Sequence, residues 1–243
     1  MEIDKLTLEC GSDIACIELR ANIHQPTIKE ISIIGEKKFY NYLSFFKITK
    51  EVIINDLKIA EEQKGIIIDD LDKKRLEKST NFEIIMQMIN EEASDVLKIK
   101  NGIETILNFL FPEYSFSFDK TSIVGIKGKK DIIIIDNNNF NILVEIINII
   151  FCLNIVKDKD FNPINDSAKK IAEKIQKGRD RISKIKGEKK ELYIIANYVS
   201  SLGIGSNSLN ILDINNLTVY QLFDQVHRYG LKTQNDRAVK SIM

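Results

Sequence analysis

Residues 188–231, EKKELYIIANYVSSLGIGSNSLNILDINNLTVYQLFDQVHRYGL, constrain the fold more than any other stretch of this chain. Their pattern predicts two amphipathic helices separated by a turn rich in Gly, Ser and Asn. The second helix has sharp bounds. Thr218 stands at an N-cap position, Val219, Leu222, Phe223 and Val226 recur at helical spacing, and Gly230 occupies the place of a C′ glycine. Nothing here is chemical machinery, so the stretch is expected to pack or to dock. Part of the apolar stripe should lie on the preceding helix, against Ile194, Ile195, Tyr198 and Leu202. The remainder, Phe223 with Tyr220, Gln221 and Asp224 at its edge, is a candidate partner-binding surface, because an aromatic ring with a polar tip suits an interface. The competing expectation is that the whole face is core.

At 243 residues the chain can bury a sizeable core, as one large domain or two modest ones. Its 35 basic and 35 acidic residues cancel, so no global field draws it to nucleic acid or to a membrane. The charge is nevertheless uneven: from Asp166 to Glu191 ten basic residues stand among five acidic ones. Isoleucine, asparagine and lysine are heavily used, a bias that AT-rich coding DNA explains, and the β-propensity of Ile is discounted accordingly. The first residues, MEIDKLTLEC, carry early acids and no apolar h-region, and Cys10, Cys16 and Cys152 are an odd number. Cytosolic synthesis with reduced thiols is the expectation. The longest apolar run, Ile142 to Ile155, is broken by Glu145, Asn148 and Asn154 and is too short for a bilayer, so no membrane partner is expected.

In chain order, Lys5–Cys10 and Ile14–Arg20 read as two strands of a small N-terminal hairpin turning at Gly11-Ser12-Asp13. Thr27 and Glu30 have capping-box spacing and Gly35 ends the short helix they open. Glu36 to Phe46 reads as a helix with Phe39, Tyr42, Leu43 and Phe46 on one face. Three or four further helices are expected between Lys50 and Phe111, the best marked opening on the Thr80/Glu83 capping box. Alternation at Tyr114, Phe116 and Phe118, followed by TSIVGI and DIIIID, predicts a small antiparallel sheet of two or three strands near 114–135. Asn137–Asn139 should cap an apolar helix from Phe140 to Leu153. Residues 157–165 read as a linker between an N-terminal α+β domain, 1–156, and a helical C-terminal region, 166–243, that opens with a basic helix over 166–187. The fold class expected is α+β, predominantly helical.

Catalytic and metal chemistry find little support. His24 and His227 are the only histidines, and neither has a Cys, Asp or Glu at ligand spacing. Cys10 and Cys16 could approach across the hairpin, but two further metal ligands are missing nearby. Gly203-Ile204-Gly205-Ser206 lacks the GK[ST] of a phosphate loop and follows a helix rather than a strand, so it reads as an inter-helix turn. Asp119, Asp131 and Asp136 mostly end strands, whereas a metal-dependent nuclease needs a convergent carboxylate pair beside a lysine. No catalytic residue, cofactor or metal is therefore assigned. The basic helix spreads its charges around the axis, interrupts them with Glu173, Asp180 and Glu188, and has no aromatic neighbour. Nucleic-acid binding is not expected of it beyond weak, salt-sensitive retention.

Three stretches carry a resemblance. IHQPTIKEISIIGEKKFYNYLSFF, NNNFNILVEIINIIFCLN and ELYIIANYVSSLGIGSNSLNILDINNLTVYQLFDQVHRYGL resemble, in that order, the N-terminal signature, middle helix and C-terminal region of a family encoded among the tail genes of tailed phages and prophages of AT-rich Gram-positive bacteria. The most distinctive portion is Leu217-Thr218-Val219-Tyr220-Gln221-Leu222-Phe223-Asp224. The resemblance implies a non-enzymatic morphogenesis protein, chaperone-like or structural, acting in tail assembly through protein–protein contacts. Its implied partners are other phage tail proteins of the tube or tape-measure type, with self-association a further option, and its implied location is the host cytoplasm during assembly or the virion. Three alternatives stay open: a component retained in the mature virion at the baseplate, neck or tube; a nucleic-acid-binding phage protein using the basic helix; and a metal-dependent nuclease.

Overall fold

The structure, a computed structural model, describes residues 3–64, 70–90, 96–153, 194–206 and 209–242. The expected linker and basic helix, 157–187, lie outside the described residues. The described chain is α+β and mostly helical, with one two-stranded and one three-stranded antiparallel sheet.

The first element corrects the sequence reading. Lys5–Cys10 is a helix, α1, not a strand. Leu6, Leu8 and Cys10 alternate as a strand's residues would, but the ends decide. The Asp4 carboxylate accepts the Leu6 N–H at 3.2 Å. At the other end Gly11 adopts φ 65°, and the Gly11 and Ser12 N–H groups donate to Leu8 and Thr7 carbonyls at 3.2 and 3.1 Å, the pairing of a glycine-terminated helix. The hairpin moves downstream accordingly: β1, Ile14–Cys16, pairs with β2, Ala21–Ile23, Ile14 opposite Ile23 and Cys16 opposite Ala21.

Helix α2, Ile28–Ile34, opens on the expected capping box: the Glu30 N–H donates to Thr27 Oγ1 at 3.3 Å and the Thr27 N–H to Glu30 Oε2 at 2.6 Å. In α3, Glu36–Phe45, Phe39 and Leu43 are buried and Tyr42 half-buried, the face expected. Among the described residues four helices follow before Phe111: α4 (Lys50–Lys64), α5 (Asp70–Lys78), α6 (Asn81–Asn90, with the Thr80/Glu83 box formed) and α7 (Val96–Leu110). Helix α7 packs along α3, where Gly102 lies under the rings of Tyr42 and Phe45.

The sheet of β3 (Ser115–Phe118), β4 (Ile123–Lys127) and β5 (Asp131–Ile135) is an antiparallel meander in the order β3-β4-β5. Helix α8, Phe140–Ile150, follows it. Asn139 does not cap this helix as expected. Its Oδ1 accepts the Asp136 N–H at 3.0 Å and its Nδ2 donates to the Ile134 carbonyl at 2.8 Å, so the side chain ties the helix start to the end of β5 instead. A chain of aromatic contacts joins α3, α6 and α8: Phe46 with Phe140, Phe82 with Phe140, and Phe39 with Phe151, at centroid separations of 6.2, 5.1 and 5.1 Å. Each fully buried phenyl ring contributes on the order of 1.5–3 kcal/mol of hydrophobic stabilisation.

The C-terminal part comprises α9 (Ile194–Gly205), the short α10 (Ile211–Asn215) and α11 (Val219–Ile242). Two expectations are corrected here. Gly203 to Gly205 belong to the last turn of α9 rather than to an inter-helix turn. Gly230 does not end its helix, which continues to Ile242, so His227 lies mid-helix rather than in a last turn. A glycine inside a helix costs roughly 1 kcal/mol relative to alanine. No helix among the described residues is long and apolar enough to cross a membrane.

Candidate functional site

Thr218 opens α11, and the tertiary structure concentrates around it. The Gln221 N–H donates to Thr218 Oγ1 at 3.2 Å, and Gln221 Oε1 accepts the Thr218 N–H at 2.8 Å, a capping box of the Thr-x-x-Gln kind. The other end of the same amide is also engaged, its Nε2 donating to the Glu9 carbonyl on α1 at 2.8 Å. Thr218 further forms a β-bridge with Thr27, and the Ile28 N–H donates to the Leu217 carbonyl at 2.8 Å. The starts of α2 and α11 are therefore held together by backbone pairing. Arg228 adds a tie to α1: its guanidinium donates to Asp224 Oδ2 at 2.6 Å and to Glu9 Oε1 at 2.9 Å.

Helix α9 is held by a residue far away in sequence. The Glu36 carboxylate accepts the Ile195 and Ala196 N–H groups at 2.7 and 3.1 Å. A carboxylate at a helix N-terminus meets both unpaired donors and the positive end of the helix dipole. The expected packing of α9 on α11 is present: Ile195 and Leu202 are buried with Val219 and Leu222, and the Tyr198 and Phe223 rings meet edge-on at 4.9 Å. Close to the other end of α9, Gly205 leaves room for the Tyr229 hydroxyl, which a Cβ would overlap.

This arrangement leaves a cavity of about 440 Å³, lined by Cys152, Tyr198, Tyr220, Phe223, Asp224, Val226 and His227. Three of the four candidate partner-binding residues, Tyr220, Phe223 and Asp224, share its wall. Gln221 does not line it; its amide holds the helix cap and α1. Phe223 has a double role, as wall of the cavity and as packing partner of Tyr198. Cys152 entered no sequence argument as a site residue, and nothing local marks it. It reaches the cavity because α8 ends beside α11.

The cavity is aromatic, and the carboxylate in its lining, Asp224, is paired with Arg228. Burial pushes the Cys152 thiol up to about 12, with the Asp224 carboxylate adding in the same direction. Such a thiol stays protonated at neutral pH and is a poor nucleophile. Burial also raises the Tyr220 phenol, against a lowering by Lys5 and with Asp224 reinforcing it. Tyr40, whose neighbours include Glu36, Cys152 and Tyr198, is raised chiefly by burial. What this arrangement offers is an apolar recess with phenol tips and an ion-paired carboxylate at its edge.

The other sequence candidates fall elsewhere. His24 sits between Asp13 and Glu30, 3.1 Å from Asp13 Oδ1 and 3.5 Å from Glu30 Oε1, carboxylate partners that its sequence neighbourhood did not reveal. It borders a larger cleft of about 880 Å³ between the β1–β2 hairpin and the three-stranded sheet. Arg20, Lys130, Asp13 and Asp131 all line that cleft, with the paired Lys127 and Glu113, so its lining mixes both charge signs. Asp131 and Asp136 stand at opposite ends of β5, roughly 17 Å apart at the usual rise of a strand; they do not form a convergent pair. Cys10 is exposed at the end of α1 and Cys16 buried in β1, and all three cysteines are free.

Replacing Cys10, Cys16 and Cys152 by alanine is expected to leave the fold intact, at no more than about 1 kcal/mol for each buried thiol lost. Thermal melts with and without chelator or reductant check this. Unfolding of the wild type by either reagent would show a metal or disulfide role.

The family model of the YomV second domain, a phage-associated domain, matches residues 186–243, the part of the chain that supplies α9, α10 and α11. No curated protein and no solved structure matches the chain.

Proposed function

We propose that this chain is a non-enzymatic phage protein that acts in tail assembly through protein–protein contacts, and that Tyr220, Phe223 and Asp224 receive a side chain of another tail protein of the tube or tape-measure type. The observation that carries the reading is a coincidence of position: the phage-associated domain match spans the helices that build the aromatic cavity. A half-buried tyrosine supplies an anchor ring with a polar tip, one of the residue types that dominate binding at interfaces.

The test is capture of co-expressed tube and tape-measure proteins of the same phage by the full chain, together with mass spectrometry of purified particles. Capture by the wild type, its loss with Tyr220→Ala, and absence from the particle are expected of an assembly factor. Stoichiometric recovery from the particle would make the protein a virion component instead. Failure to capture any tail protein, or capture indifferent to Tyr220→Ala, sinks the docking role of this cavity.

A further inference from the structure

The three-stranded sheet has one face too apolar for water. Strand β5 lies in the run DIIIID, and an aliphatic run without alternation is what a strand covered on both faces carries. Among the described residues only one face is covered. Ile123, Ile133 and Ile135 are buried in the core, whereas Ile126, Ile132 and Ile134 on the opposite face are 46, 55 and 51% exposed. The register sets Ile126 opposite Ile132 and Val124 opposite Ile134, so these side chains form one contiguous aliphatic block. Ser115 and Ser117, opposite Ile126 and Val124 on β3, continue the same face as a polar border.

We propose that this face is the interface of a symmetric dimer, covered by the same face of a second copy of the chain. Charge selects both the occupant and its orientation. Lys129 and Lys130, with Asp131, stand at one end of the sheet; Asp119 and Asp136, with Lys120, stand at the other. Lys127 and Glu113 neutralise each other. Within these turns and strand ends one end is thus basic and the other acidic, each by one net charge; Lys100, over the Phe118 ring, stands on the covered side of the sheet. A twofold axis lying between the two sheets and across the strands places the basic end of each copy over the acidic end of the other, twice per dimer. The same axis stacks β5 on β5 and β3 on β3, so aliphatic rows meet aliphatic rows and serines meet serines. An axis along the strands would set acidic end on acidic end and lay isoleucines over hydroxyls. Sheets stacked in this way sit about 10 Å apart.

Sedimentation equilibrium of the full chain, from micromolar to near-millimolar concentration and without any other phage protein, tests the dimer separately from the docking role of Tyr220. A reversible dimer is expected of the wild type. Ile132→Lys should leave a monomer with unchanged circular dichroism, since that side chain is exposed in the single copy. Lys130→Glu, on an exposed turn, should weaken the dimer about ten-fold, and adding Asp119→Lys to the same chain should restore it. Lys130→Glu reads the interface even if Ile132→Lys fails to fold. A wild type monomeric over the whole range, or a dimer as strong with Ile132→Lys and with Lys130→Glu alone as in the wild type, overturns the proposal.

Discussion

Leu222→Ala is expected to destabilise the protein by about 2–5 kcal/mol, the range for a leucine removed from a packed core. Leu222 is fully buried with Val219 where α11 meets α9. Its neighbour on the next turn face behaves differently if the docking reading is right. Tyr220 is only half-buried and lines the open cavity, so Tyr220→Ala should leave the melting temperature nearly unchanged while abolishing partner capture. The two variants are compared by thermal melts of the isolated protein. Equal destabilisation by Tyr220→Ala and Leu222→Ala would mean that the whole face is core, and the docking role of this wall would then be dropped.

Gly102→Val is expected to cost about 3 kcal/mol, the upper end of the usual overpacking range. A Cβ at this position would lie 2.5 Å from Phe45 Cε2 and 2.8 Å from Tyr42 Cδ1. Both rings sit on α3, which is itself held by buried Phe39 and Leu43, and they stack on each other at 6.5 Å, so making room displaces the pair. Gly102→Ala gives a test of sign. In an open helix the change would gain roughly 1 kcal/mol; here the steric conflict should cancel that gain or reverse it. A chain stabilised by Gly102→Ala would show that α3 and α7 have slack between them.

Elements whose determinants lie within a few residues were legible in the sequence. The Thr27/Glu30 and Thr80/Glu83 boxes, the aromatic face of α3 and the three strands of the meander all follow from local spacing, because a cap or an alternation is complete within four or five residues. Six residues at Lys5–Cys10 were too few to separate period two from period 3.6. There the decision came from Asp4 and Gly11, and from the contacts that Gln25 and Gln221 make with α1 and the turn after it: Gln25 Nε2 donates to the Thr7 and Ser12 carbonyls, and Gln221 Nε2 to that of Glu9. Gly230 had the right residue type for a helix end, yet a single unfavourable glycine is too weak a signal to stop a helix.

The candidate site divides along the same line. Helical spacing alone put Tyr220 and Phe223 on one side of α11 and predicted that part of its apolar stripe lies on the preceding helix; that part proves to hold Val219 and Leu222. What only the tertiary structure decided was which of these side chains share a cavity. It took Gln221 away from the surface to hold a cap, and it carried Glu36 across 159 residues of sequence to the start of α9. It also set Cys152 beside Tyr198 and Asp224. Periodicity records which way a side chain points from its own helix. The identity of the neighbour it meets depends on how separate helices pack, and no local pattern in this chain encodes that.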